Sequence, residues 1–465
     1  MTVTQRLTRI NPVVIAALPG AARAHASEQG FVLLLPTDVY VPAGASVVAL
    51  TVLALVLLPP RAFAALFRPV ARMAVPRLRG AVMLTSLVST AFLAGLLWLG
   101  LTGPRDPLTN PLPLTVWVVW WIGLVALQGV WGNLWRWIDP WRGVLVLIRA
   151  EGWRAPLHLS PRAGSWVAVL LFIGFTSFVL ADIAPSDPGR LARIVALYWL
   201  AMLLGAVLFG PRWLVAAEPL GVLMRVYARL APFGRRGRNI ALGWPGWQLA
   251  TRRTPRAGMA VFLLVLLGCG SFDGLNETFW WLAKIGINPL EFPGRSAVVL
   301  PTLTGLLAAN ALLLAAYGAA IALGVTLDRN GPGFALTFRS QAVSILPIAL
   351  GYHVAHYLPG FLVDAQYALA ALSDPFARGD DWLGLQPFYV TTGFFNTQSG
   401  VRAIWLAQAG AVVLGHVLGI LLAHRIALGH HATPKRAILA QLPLALFMIG
   451  YTFFGLWLLA SPRGA

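Results

Sequence analysis

Ten stretches of this chain are almost continuously apolar, each about 20 residues long, and polar positions gather in the connections between them. At 1.5 Å rise per residue, about 20 helical residues cross a hydrocarbon core of roughly 30 Å. The pattern therefore predicts an all-α fold, a polytopic transmembrane helical bundle of about ten spans. They fall near 39–59, 81–102, 114–134, 165–184, 191–211, 257–271, 298–325, 341–360, 401–424 and 437–460.

Composition narrows the class. Of 465 residues, 58% are hydrophobic and 11% charged, too few charges to cover a soluble fold of this size, since an ordinary soluble domain is about 25% charged. The net charge of +19 raises the question of nucleic acid. The basic residues, however, sit at span ends rather than on a folded polar surface, which excludes that partner. Twenty-four of them fall on every second connection and eight on the others, outside the first 24 residues. By the positive-inside rule this places the arginine-rich side in the cytoplasm. The expected setting is a bacterial inner membrane, with both mature termini periplasmic. The single cysteine, Cys269, leaves no disulfide framework to consider.

Residues 1–24 read as a signal peptide: Arg6 and Arg9, a short apolar run, and small residues ending at Ala24. Residues 25–465 then form one integral-membrane domain with an Arg-rich cytoplasmic loop at 212–256. Cleavage would expose His25, whose amine and ring could chelate copper; an exposed terminal histidine is also consistent with no role at all. The 212–256 loop is expected to lie in the interface against anionic lipid, at about 1 kcal/mol per basic residue. Trp131, Trp135, Trp137 and Trp141 read as interfacial anchors, the indole ring at the headgroups and its N–H wet.

Chemistry is sought where polar residues are expensive. The sixth span ends GCGSFDGLNETFWW, in which Asp273 and Glu277 are four apart and share a face if the helix continues. The eighth carries GYHVAHYLPGFLVDAQY, in which His353 and His356 are three apart, with Asp364 following a helix break expected near Pro359. Imidazole and carboxylate together suit a divalent metal such as Zn, Mn or Fe. The competing reading makes these histidines interhelical hydrogen-bonders and Asp273 a cap for the next segment. His416 reads as a packing histidine bonded to a neighbouring helix.

WGNLWRWIDPWRG, SFDGLNETFWW, HYLPGFLVDAQYALAALSDPFARGDDWLG, GHVLGILLAHRIAL and YTFFGLWLLASP, with the leader ending before HASEQG, resemble the bacterial integral-membrane family of fenitrothion hydrolases. That resemblance implies hydrolysis of an apolar organophosphorus triester at the membrane. A consistent mechanism holds a divalent metal on His353, His356 and Asp364 (or Asp273 or Glu277), lowering the pKa of a bound water. Asp273 or Glu277 serves as the base. The rival classes are a transporter or permease for a small solute or metal ion, and a non-catalytic membrane assembly protein.

The charge distribution makes a direct prediction of topology. A reporter active only in the periplasm should be active when fused after Gly464 and silent when fused near Arg236; the opposite pair of activities would invert the map.

Overall fold

A computed structural model describes residues 35–74, 79–149, 153–236, 239–251, 253–291, 294–385 and 388–463. The expected signal peptide and His25 lie outside the described residues. Among them ten helices are long and apolar enough to cross a membrane: α1 Thr37–Leu57, α2 Gly80–Thr102, α3 Pro111–Trp131, α4 Pro161–Ala181, α5 Pro188–Phe209, α6 Ala257–Asn276, α7 Arg295–Leu327, α8 Phe334–Ser373, α9 Gln398–Ala427 and α10 Pro434–Ala460. The chain is a multi-pass membrane protein built as a helical bundle.

Four of the spans start the same way. Asn110, Ser160, Asp187 and Thr433 each precede a proline, and each side chain accepts a hydrogen bond from a first-turn N–H, at 2.9, 3.1, 2.6 and 3.4 Å. The cap satisfies a donor that the helix leaves orphaned, and proline at the first position has no N–H to satisfy. Thr397 caps α9 without the proline, through the Gly400 N–H at 3.2 Å.

The connections confirm the alternation of sides. A three-stranded antiparallel sheet joins β1 (Ala71–Ala74), β2 (Phe233–Arg236) and β3 (Asn239–Leu242) in the order β1-β3-β2. Four spans separate β1 from β2, so an even number of crossings returns the chain to one face. On the other face, Thr278 pairs with Arg463 across another four spans.

At the centre lies α6, 78% buried against 50% at most for any other span. It packs on α4, α7 and α8, while other broad interfaces join α8 to α9 and α3, and α10 to α7, α9 and α1. Backbone contact between α8 and α9 depends on glycine: a Cβ at Gly351 would collide with the Ala411 carbonyl, and one at Gly415 would lie 2.7 Å from the Pro347 carbonyl.

Three features differ from the sequence expectation. The helix of α8 does not break at Pro359 but runs on to Ser373. Proline removes the hydrogen bond to the carbonyl four residues back, that of Ala355. Gln408 of α9 supplies the missing donor, its Nε2 lying 2.8 Å from the Ala355 oxygen, and the helix continues because its freed acceptor is satisfied by a neighbour. Second, 212–256 is not a loop spread on the surface. It contains a short helix, Pro219–Tyr227, buried along almost its whole length and packed on α3, α4 and α8. Its N-terminus is capped by Glu218, 1% exposed, which accepts from the Leu220 and Gly221 N–H groups at 2.8 and 2.6 Å and from the Tyr198 hydroxyl at 2.5 Å. Burial raises the pKa of this carboxyl despite those bonds. Third, Trp135 and Trp141 are buried, and only Trp131 of the four stands well exposed. The Trp141 indole donates to the Trp199 carbonyl at 2.9 Å, so it packs a core instead of anchoring an interface.

Gly351→Ala should lower stability in detergent by about 1–3 kcal/mol through overpacking. Gly95→Ala, where a Cβ meets nothing within 4 Å, should be neutral or slightly stabilising through helix propensity. Thermal unfolding of the two purified variants checks this; equal melting would refute the close-packed α8–α9 seam.

Candidate functional site: a carboxylate, imidazole and phenol buried between spans

The sequence SFDG puts Asp273 one turn from the end of α6, on a buried face rather than in the following loop. Its carboxylate is held by two residues of α8. Tyr357 donates its hydroxyl to Asp273 Oδ2 at 2.5 Å, and His356 Nε2 lies 3.2 Å from the same oxygen. Both α8 residues are one helical step apart, and together they replace the water a carboxylate would otherwise need. The helical turn after Asn276 is capped by Thr278, whose hydroxyl accepts from the Trp281 N–H at 3.2 Å. Asp273 therefore caps nothing; its partners are across the helix interface.

Around this group lies a cavity of about 40 Å³, lined from α4, α6 and α8, by Trp121 of α3 and by Leu223 and Tyr227 of the buried short helix. That volume takes about three waters, at roughly 10–15 Å³ each. Cys269 of α6 also lines it, and hydrogen-bonds Thr176 at 3.4 Å.

His353 is on the cavity wall too, but it faces α3. Its ring is edge-on to Trp121 at 5.4 Å and to Tyr357 at 4.9 Å. The stretch of α3 that it meets, Leu114–Leu124, is π-helical, and the backbone of Trp121 and Ile122 supplies the polar neighbours of the imidazole. Widening a helix by one residue per turn turns carbonyls out of the usual ladder, which is why π segments recur beside functional groups. Nε2 of His353 and Nδ1 of His356 are buried without a hydrogen-bond partner.

Of the five candidate residues, three surround the cavity: Asp273, His353 and His356. Asp364 stands eight residues beyond His356, about 12 Å further along α8, beside Gly360. Glu277 ends α6, is 45% exposed, and pairs with Arg463 at 3.7 Å. The helix stops where these two acids would have shared a face. Among the described residues no three His, Cys, Asp or Glu side chains stand close enough to hold a metal, and the Asp273 oxygen that would serve as a ligand carries two hydrogen bonds.

Tyr352 and Tyr357 are the members that the sequence expectation passed over. Both flank the histidines in GYHVAHYL, and positions 352, 353, 356 and 357 occupy one helical stripe, a signal the sequence does contain. No family model, curated protein or solved structure matches this chain.

Coupling between Asp273 and His356 is measurable. His356→Ala should cost about 3–5 kcal/mol by leaving the buried Asp273 side chain without its imidazole partner. The double variant Asp273→Asn/His356→Ala should lose much less than the two single losses added together. Simple additivity in detergent unfolding would mean that the two side chains do not act on one another.

Proposed function

We propose that the chain is a transporter-type membrane protein that passes protons through the bilayer by way of Asp273, His356 and Tyr357, with a small solute or cation as the coupled species. The observation carrying this reading is a hydrogen-bonded carboxylate, imidazole and phenol buried between spans at the edge of a cavity sized for water. Ionisable groups inside a bundle are costly, and they mark ion and proton paths. Imidazole suits the task because its two nitrogens face different ways. Nε2 of His356 meets Asp273, and Nδ1 points toward Tyr352 and Gly274. In this reading the protein sits in a bacterial inner membrane with its arginine-rich side on the cytoplasmic, anionic-lipid face.

A second reading is the metal-dependent phosphotriester hydrolase that the resemblance implies, with His353 and His356 as ligands beside an Asp273, Asp364 or Glu277 carboxylate. The unpartnered imidazole nitrogens favour it. Cavity size disfavours it: a pocket that buries an aryl ester runs to roughly 300–1,000 Å³, far above the 40 Å³ here.

Purified protein in liposomes, driven by a potassium diffusion potential and read with an internal pH dye, tests both. Wild type should carry protons above protein-free vesicles, and Asp273→Asn should lower the rate at least tenfold. A wild-type rate equal to empty vesicles, or an Asp273→Asn rate equal to wild type, would sink the transport reading. Release of a nitrophenol from an aryl phosphotriester, lost on chelation and in His356→Ala, would put the hydrolase in its place.

A further inference from the structure

Beyond Asp273, polar side chains continue through the bundle along the seam of α6, α8, α9 and α10. His356 Nδ1 and the Tyr352 hydroxyl are both buried, both without a partner, and both packed on Gly274 of α6. One turn of α6 away, the Ser271 and Tyr451 hydroxyls are bonded at 2.6 Å. The Tyr451 ring lies 6.5 Å from the ring of His416. His416, 2% exposed, spends Nδ1 on its own helix, on the Val412 carbonyl at 2.9 Å, and leaves Nε2 buried without a partner. It therefore does not bond a neighbouring helix as its sequence position suggested.

Toward the sheet side the polar groups resume. His424, also 2% exposed, meets Gln441 of α10 at 3.0 Å. Gln341 donates to the Ala423 carbonyl at 3.3 Å. Gln441 Nε2 and Gln341 Oε1 are again without partners. Since α9 faces α10 with His416 beside Tyr451 and His424 bonded to Gln441, the two helices are antiparallel there. The interval between the histidines, about 12 Å of helix, is filled by Ile420, Leu444 and Met448, each at most 2% exposed.

We propose that this seam is the route by which the proton crosses: a water-bridged outer half from His356 through Tyr352, Ser271 and Tyr451 to His416, an inner half at His424, and an apolar plug at Ile420 between them that gates it. The inference rests on the proton-transport reading. More than 90% of buried polar groups are normally paired, so the unpaired Tyr352 hydroxyl, His356 Nδ1 and His416 Nε2, on either side of the bonded Ser271–Tyr451 pair, mark positions where water completes the bonds. The transfer balances without any other reagent. A protonated Asp273 gives its proton to His356 Nε2 as Nδ1 releases one to water, leaving a carboxylate and a neutral ring. Each hydroxyl then accepts one proton and passes on another, and His416, whose Nδ1–H stays on the Val412 carbonyl, takes the proton on Nε2 and returns it from Nε2 to the water that enters when the plug wets. A dry apolar layer stops the chain until it wets, as hydrophobic constrictions do in channels.

The liposome assay separates this route from the reading beneath it. His416→Leu should reduce proton flux at least tenfold, and Tyr451→Phe, which removes one oxygen without changing shape, several-fold. Ile420→Ser should raise flux several-fold, and the gain should vanish in Ile420→Ser/Asp273→Asn, which a general leak from misfolding would not do. His430→Ala, at an exposed position of the same connection, should match wild type. If Asp273→Asn abolishes flux but His416→Leu and Tyr451→Phe carry protons at the wild-type rate, the route is wrong and the transport reading survives. If His416→Leu is lost from the membrane, Tyr451→Phe and Ile420→Ser decide alone: unchanged flux in both overturns the route. Flux that does not respond to Asp273→Asn overturns the transport reading itself.

Discussion

Inside a bilayer no water completes the bonding of a polar group, so every donor and acceptor at that depth must be met by protein or by a cavity wet enough to serve. The rest of this structure depends on that constraint. Gln408 meets the carbonyl that Pro359 sets free, and so keeps α8 helical through the turn that carries His356 and Tyr357. Those two in turn meet the Asp273 carboxylate. A chain of satisfied groups thus fixes the rotation of α8 against α6, and the cavity is what remains between them. Breaking the first link, 49 residues away in sequence from its acceptor's proline, would move the last.

Apolar length was legible because it is a local property: each span is longer than the hydrocarbon core and stands between polar connections, so all ten are found within a few residues of where the pattern puts them, apart from the two ends of α8 and the end of α6. Their starts, placed at 114, 165, 191 and 437, fell three or four residues late, because the pairs Asn110-Pro111, Ser160-Pro161, Asp187-Pro188 and Thr433-Pro434, which carry the local capping signal, were not read. What stayed hidden is non-local. Nothing near Pro359 announces Gln408. Nothing in 212–256 announces that the nine residues from Pro219 to Tyr227 will be buried, because the surface that covers them comes from three other helices. Arginine content described the flanks of that segment and missed its middle.

The candidate site divides along the same line. His353 and His356 were found by helical spacing, and spacing alone also offers Tyr352 and Tyr357 on that stripe. Asp273 was visible as an acid inside an apolar run. Glu277 and Asp364 were misplaced with it because both assignments needed the course of a helix: α6 ends one residue before Glu277, and α8 continues past Pro359, carrying Asp364 two turns from His356. Both differences are differences of helix length: Asp364 lies about 12 Å along α8 from His356, and Glu277, just past the end of α6, turns to Arg463.

The π-helical stretch of α3 connects these points. A straight α-helix through Leu114–Leu124 would turn its next residue by about 100°, and eleven residues of wider winding shift the register by about two residues. Trp121 thereby lies with 8% of its surface exposed, edge-on to His353 and close to Tyr357, and the same winding brings backbone to the His353 ring. The irregular winding needs support from outside the helix, and here α8 is the element packed along it. The wall of the cavity and the helix that carries His353, His356 and Tyr357 are thus packed along one another, and a rotation of α8 would disturb the winding of α3. On the proton-transport reading proposed above, such a paired change is the kind of two-state element that would turn the protonation of Asp273 into movement at a gate.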